Sequence, residues 1–355
     1  MLNMSKRFLA NAIALSLLSV GVTKIAYAVE VGDRLEIHGY GHQGYLQSND
    51  NAYLKSDNKG TWDYNALALV FTARIDDKSK IWAQLHNTSE KSRLDWAYVD
   101  FQLTGNLAVR AGQIKMPFGL YNEIRDIKFL QLSTLEPMLY QKASEMIDES
   151  FRGVSAIYDH NVGSGTLSWD TYLGQETDWE GTGAETGRKF RLIFGGRATY
   201  KPAVEGLKFM VSAYNSKVDD TEPLPLASGN KRVWAVSADY TNNNFDVKAE
   251  YGKKKFFDEE SKTYYVQTGY TLNEYWTPFL RYDYIATDLA ETNDPARYQK
   301  SKVLGLNYKI NNNIAVRVEN HWNKGYALPV ASKEVVAGAG KNDWNMFVAS
   351  ISFIF

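Results

Sequence analysis

The 355-residue chain contains no cysteine. That removes disulfides, thiolate metal sites and cysteine nucleophiles together. Neither sign of charge is in excess: 40 Lys and Arg against 41 Asp and Glu leave a net charge of −1. No strong field is available to recruit nucleic acid. Long hydrophobic runs are also missing. Beyond residue 28 no apolar stretch approaches the roughly eighteen residues of a spanning helix, which argues against a helical membrane protein. A lipid-embedded barrel stays open, because each of its strands needs an apolar residue only at every second position. What the chain has in quantity is aromatic side chains, 14% of residues with 23 tyrosines.

The first residues read as a secretory leader. Lys6 and Arg7 form a short positive region, Phe8 to Val22 is apolar apart from Asn11 and small residues, and Ala26-Tyr27-Ala28 is an A-x-A cleavage site. An apolar core of about fifteen residues is short for a spanning helix. Residues 1–28 are therefore expected to be a signal peptide, and Val29 the first residue of the mature protein.

The chain's last residues alternate almost without interruption. Phe347, Ala349, Ile351, Phe353 and Phe355 occupy one face of a β-strand, and Met346, Val348, Ser350, Ser352 and Ile354 the other. The same period of two recurs. Leu67, Leu69, Phe71, Ala73 and Ile75 alternate with small or polar residues. So do Trp234, Val236, Ala238 and Tyr240, and then Phe245, Val247, Ala249 and Tyr251. The pattern predicts sixteen strands, near 34–46, 62–75, 80–87, 94–103, 107–114, 151–159, 166–174, 188–200, 207–215, 232–240, 245–252, 263–272, 276–285, 301–310, 314–322 and 344–355. Seven short connectors, carrying Thr104-Gly105-Asn106 and the Asn runs 242–244 and 311–313, alternate with longer ones of about six to 36 residues. Short turns on one side and long loops on the other are the asymmetry of a transmembrane antiparallel up-and-down barrel. An even strand number closes it. A soluble β-sandwich alternates too, but its strands average about five or six residues. Here the apolar faces end in Tyr200, Tyr240, Tyr251, Tyr284 and Phe355, as interface girdles do.

The longest connector, about 115–150, begins where Pro117 and Gly119 stop strand pairing. It holds Phe118, Leu120, Tyr121, Ile127, Phe129, Leu130, Leu132, Leu135, Met138, Leu139, Tyr140, Met146 and Ile147. So many large apolar residues need a surface to bury against, and the inner wall of the barrel supplies one. Residues 29–355 are thus expected to form one barrel domain, with this third external loop folded into the lumen.

The run Gly112-Gln113-Ile114-Lys115-Met116-Pro117-Phe118-Gly119, preceded by Trp96-Ala97-Tyr98-Val99-Asp100 and Val109-Arg110, resembles the phosphate-selective porin (porin O and P) family and its general-porin relatives. The resemblance implies a sixteen-stranded, usually trimeric channel of the bacterial outer membrane with its third loop inside. It implies a closing Phe355 read by the barrel assembly machinery, and surroundings of outer-membrane lipid and lipopolysaccharide. It implies passive diffusion of small hydrophilic solutes and no cofactor. Phosphate selectivity does not carry over. In that branch it relies on a basic ladder and a lysine-rich constriction, whereas this loop sets Glu123, Asp126, Glu136, Glu145, Asp148 and Glu149 against Lys115, Arg125, Lys128 and Lys142.

If apolar residues face lipid, their alternates face water. This assigns Arg74, Arg110, Arg191, Arg197, Lys208, Lys248, Arg281 and Arg317 to the lumen, with Asp100, Asp170, Asp239, Asp246, Glu250, Asp283 and Glu319. Charges at a constriction select ions and solutes. A basic wall of Arg110, Arg191, Arg197, Arg281 and Arg317 opposite the acidic loop would set up a transverse field; ordinary lumen ion pairs are the plainer alternative. Trp96, Tyr98 and Tyr172 on lumen faces suggest an aromatic slide for sugars, the basis of a substrate-selective channel for sugar or for anions such as phosphate. Catalysis finds less support. His38, His42, His86, His160 and His321 accompany no G-x-S-x-G motif. His160 falls in a predicted turn, and Glu259-Glu260 in a predicted loop. His38 and His42, four apart on a strand, are separated by about 13 Å. Neither an enzyme nor a metal centre is expected.

Overall fold

The computed structural model describes residues 28–177, 188–220 and 228–355, with backbone only at 188–191, 218–220 and 228. The predicted leader up to Tyr27 lies outside the described residues. The strands are β1 (Val29–Val31), β2 (Leu35–Ser48), β3 (Thr61–Arg74), β4 (Ser79–Thr88), β5 (Ser92–Thr104), β6 (Leu107–Lys115), β7 (Ser150–Val162), β8 (Gly165–Glu176), β9 (Arg188–Lys201), β10 (Leu207–Asp220), β11 (Ser228–Thr241), β12 (Phe245–Phe256), β13 (Glu259–Tyr270), β14 (Trp276–Ala286), β15 (Tyr298–Lys309), β16 (Ile314–Lys324) and β17 (Asp343–Ile354). From β2 onward each strand pairs antiparallel with the next. β17 then returns to β2, with Met346 opposite Ser48 and Ile354 opposite Tyr40. The result is a closed barrel of sixteen strands, all of them at the predicted places.

Alternation explains closure. On β14, Thr277, Phe279, Arg281, Asp283 and Ile285 are buried inside, while Trp276 and Leu280, of the opposite parity, are exposed outside. Leu67, Phe194, Val211, Val266 and Leu304 are likewise exposed on the outer surface. An apolar surface of that extent is stable in lipid and a liability in water. No helix of the described residues is long and apolar enough to cross a membrane; the strands do so. Closure leaves no unpaired edge for lipid to meet. At the seam Phe355 exchanges backbone hydrogen bonds with Gly39 at 2.8 and 2.9 Å. Its ring lies where a Cβ on Gly39 would come within 2.1 Å of it, so glycine there lets the ring lie flat against the strand.

Three sequence expectations need correction. β1 was not foreseen; it lies outside the ring as a hairpin on β2, with Val29 opposite Ile37. Two external connectors are tight turns, not loops of six or more residues: 89–91 joins β4 to β5, and 257–258 joins β12 to β13. Glu259 and Glu260 therefore belong to β13, and His160 to β7, where it stacks on Tyr158 at 5.6 Å. β1, Val29-Glu30-Val31, is too short for alternation to mark it; for the turns and for Glu259, Glu260 and His160 the reason is shared. Beyond the hydrocarbon band both faces of a strand are polar, so alternation fades while backbone pairing continues.

The segment between β6 and β7 folds inward with three single-turn 3₁₀ helices, at Asn122–Ile124, Lys128–Leu130 and Lys142–Ser144. Its apolar residues divide among three arcs of the inner wall. Met116, Phe118, Tyr121, Leu139, Tyr140 and Met146 pack on Tyr172, Ile193, Tyr214, Val233 and Tyr265. Leu135 and Met138 pack on Leu46, Ile285, Trp344 and Met346. Ile127 and Phe129 pack on Tyr40, Val70, Trp82 and Trp96. The barrel's hydrophobic core is thus built between wall and loop.

Candidate functional site

Polar anchors fix what the apolar contacts place. Gly119, at φ 57°, turns the chain into the lumen; a Cβ there would meet the Tyr140 hydroxyl at 2.1 Å and Glu250 at 2.6 Å. Its N–H donates to Ser212 Oγ at 3.0 Å. The Glu250 carboxylate accepts from Leu120 N–H at 3.0 Å and from the hydroxyls of Tyr140 (2.6 Å), Tyr265 (2.7 Å) and Ser237 (2.5 Å). No ion pair to Glu250 is found among the described residues; hydrogen bonds alone hold this buried carboxylate.

Further round, Glu319 accepts from Thr134 N–H at 2.7 Å and Ser133 Oγ at 2.5 Å. Arg281 donates to Leu135 O at 2.8 Å and to Asp283 at 2.6 Å. Arg317 reaches Gln131 O at 3.0 Å, Phe129 O at 3.1 Å and Ser352 Oγ at 2.7 Å. Lys231 holds Asp148 at 2.5 Å. Such charge-assisted bonds are the strong ones. In this setting each is worth about 1.5–3 kcal/mol.

At the loop's neck three carboxylates, Asp95, Asp126 and Glu149, bring oxygens within 4.8 Å of one another. The Lys115 ammonium stands among them, 2.8 Å from Glu149, 3.9 Å from Asp95 and in direct contact with Asp126. Arg93 adds contacts to Asp95 at 2.8 Å and Glu149 at 3.6 Å. Burial, with Asp126 and Asp95 close by, pushes the Glu149 carboxyl up to about 7 against the pull of Lys115 and Arg125.

Among the predicted wall arginines whose side chains are described, Arg197 is the one that meets a loop carboxylate, Glu123, at 2.7 Å; it also holds Asp170 at 3.0 Å. Arg110 pairs with Asp100 on the adjacent strand at 3.0 Å. Arg281 and Arg317 bind loop carbonyls. Arg125 and Lys128 close on Glu136 within the loop itself. Arg191 lies in β9 at a register shift opposite Lys217 and Val218, and its side chain falls outside the described residues. Tyr172 does not join Trp96: it stacks on Phe151 at 4.9 Å in a separate cluster, while Trp96 and Tyr98 adjoin at 5.6 Å. Asp95 was missed. A bulge in β5 brings both Asp95 and Trp96 to the lumen side, which strict alternation does not foresee.

A closed lipid-facing barrel whose third external loop is pinned across its lumen defines an outer-membrane channel. The chain belongs to the Gram-negative porin family, whose model matches residues 13–343. Among curated protein sequences none matches. Solved structures similar to it include OmpF of Salmonella typhi in complex with daunomycin (13% identity, TM-score 0.63, 93% of this chain and 100% of that one). They also include OprB of Pseudomonas putida (11%, 0.62, 97% of each) and the anion-selective porin of Comamonas acidovorans (12%, 0.61, 90% and 99%). The protein is an outer-membrane channel for passive diffusion.

Proposed function

We propose that small hydrophilic solutes pass between the free edge of the loop and the wall of β5, β6, β8 and β9, where charge lines both sides. One observation supports this division of labour. Glu123, Asp100, Arg110 and Arg197 keep 35, 19, 13 and 12% of their side-chain surface exposed, whereas Arg281, Asp283 and Glu319 keep 1, 2 and 0%. The first set touches the solute. The second, with Arg125, Lys128 and Arg317, holds the loop in place, and Lys115 and Asp126 fix its neck.

Reversal potentials in planar bilayers test the assignment. Arg110→Ala and Arg197→Ala channels should shift toward cations, and Arg281→Ala should change conductance through loop movement. Equal selectivity in all three, or hydrolysis of lipid or peptide without any conductance, would sink it. Trp96 and Tyr98, with half-buried Leu120 and Ile124 nearby on the loop edge, favour a second reading as a sugar-selective channel; saturable block by one sugar would establish it.

The finer cell biology follows from the same residues. The chain is exported on a leader cleaved after Ala28, and Phe355, at the seam, is presented to the assembly machinery. Three copies assemble through the arc from β17 to β6. There Phe347, Ile351, Leu67, Leu85 and Val99 are exposed on the outer surface.

A further inference from the structure

The end of the barrel with the short turns faces the periplasm. There the β1–β2 hairpin and the ends of β3 and β4 frame a cavity of about 470 Å³. Small-molecule sites have volumes of about 300–1,000 Å³. The charged lining consists of three carboxylates, Glu30, Asp33 and Glu36, and three cations, Arg34, Arg74 and Lys80. The two signs balance, but they are sorted in space. Glu30 on β1 stands directly opposite Glu36 on β2. Arg74 on β3 stands directly opposite Lys80 on β4. Like charges placed opposite one another across a strand pair repel. The cavity thus presents an acidic pair beside a basic pair.

Both pairs lie on the lumen face. Glu36 stands opposite Thr72, and Thr72 stands opposite the buried Trp82. Arg74 follows Thr72 by two residues on the same strand, a step of about 7 Å. The pairs do not neutralise each other. Glu36 meets His38 at 3.8 Å. The Arg74 guanidinium donates to the Asp33 carbonyl at 2.7 Å, which fixes its place at the cavity without cancelling its charge. Asp100, opposite Lys80, is taken by Arg110 at 3.0 Å. Among the described residues no ion pair joins the acidic to the basic group. Between them the Thr72 hydroxyl is buried and has no hydrogen-bond partner among the described residues; a buried polar group in that state calls for an explanation. Higher in the lumen, cations meet carboxylates where the loop shuts water out. At this mouth Glu30, Arg34 and Arg74 are exposed, and the charges stay solvated and apart.

We propose that this cavity is a seat for a zwitterion, and that its occupant is a short peptide with free ends. The ammonium of the peptide sits between Glu30 and Glu36, and its carboxylate between Arg74 and Lys80. A polar group of its backbone, or a water it carries, reaches the Thr72 hydroxyl. Each residue of an extended chain spans about 3.3–3.6 Å, so the ends of a dipeptide match the step of about 7 Å from the acidic to the basic pair. A simple anion or a simple cation fits less well, because the pair that attracts it has a repelling pair beside it. The residues are separate from Glu123 and Arg197 at the loop, so the seat does not depend on which solutes the constriction selects.

The test is isothermal titration calorimetry of the intact barrel in detergent at neutral pH with three peptides. These are alanyl-alanine, its N-acetyl form, which lacks the ammonium, and its amide, which lacks the carboxylate. The wild type should bind alanyl-alanine at least about tenfold more tightly than either capped form, since each free end adds charge-assisted hydrogen bonds. Glu36→Gln should bring alanyl-alanine toward the affinity of the acetylated peptide, and Lys80→Gln toward that of the amide. Arg152→Gln, which removes an exposed cation that donates to Gln113 at the far end of β7, should keep the full preference. Equal affinity of the wild type for the three peptides overturns the proposal. So does an unchanged preference in Glu36→Gln and Lys80→Gln channels that still conduct, or an equal loss in Arg152→Gln. Should one of the two mouth variants fail to fold, the other locates the seat.

Discussion

Cations on the two sides of one wall obey opposite rules. Inside, Arg110, Lys115, Arg197 and Arg281 each meet a carboxylate within 3.0 Å. Outside, Lys253 faces Lys262 and Lys300 faces Lys324. A charge buried between wall and loop is met by a counter-charge or, at Glu250 and Arg317, by hydrogen bonds; removing one partner of a buried ion pair costs about 3–5 kcal/mol. A lysine at the outer rim keeps its head in water or among headgroups, so a bare cation there is tolerated. The net charge of −1 therefore conceals two separate balances. One is closed inside the protein. The other is left open to the membrane.

The largest effect comes from breaking the inner balance at a carboxylate. Glu250→Ala strips the acceptor from Leu120 N–H and from the hydroxyls of Tyr140, Tyr265 and Ser237. It leaves four buried donors without this acceptor, at about 1 kcal/mol each, and should loosen the loop by about 3–5 kcal/mol in all. Limited proteolysis should then cut within 116–149, and single-channel conductance should rise and become noisy. An uncut loop with wild-type conductance would mean that apolar packing alone holds it.

Next comes pH. Glu149 is held at about 7 against an ordinary 4.5, so the fold favours its neutral form. Its contribution is complete below about 4.5 and is lost as pH rises through about 7, an effect on the order of 1–3 kcal/mol. Resistance of the loop to protease should increase as pH falls from 8 to 5. Glu149→Gln, permanently neutral, should flatten that profile; an unchanged slope in the variant assigns the titration to another group.

Smaller again is the lumen field. Arg197→Ala leaves Asp170 and Glu123 without their shared partner. At about 8 Å in water one unit charge is worth about 0.5 kcal/mol, a roughly twofold shift in permeability ratio toward cations. Reversal potentials read it directly, and no shift would mean that solute passes elsewhere.

How legible these features are depends on what alternation can carry. Within the hydrocarbon band one face must be apolar, so all sixteen strands and the inward loop are visible in the sequence. The partners of each charge are not. Arg281 looks like a selectivity residue, yet its guanidinium is spent on Leu135 O and Asp283; only the path of the loop reveals that. Asp95 hides in a bulge. Lys253, Lys255, Lys262, Lys300 and Lys324 all fall outside the predicted strands, because alternation fades at the rim where they stand. The rim cations are therefore the feature the sequence conceals best, since their meaning lies in which of them oppose one another across strands.

The smallest effect tests the outer balance and has a sign that sets it apart from every inner substitution. In detergent, Lys262→Gln removes a repulsion with Lys253 and gives up a cation–π contact with Tyr284. The two nearly cancel, and the thermal midpoint should hold or rise by the equivalent of a few tenths of a kcal/mol. A loss of stability in Lys262→Gln would show that the outer cations already have partners within the chain, and that the two sides of the wall follow one rule after all.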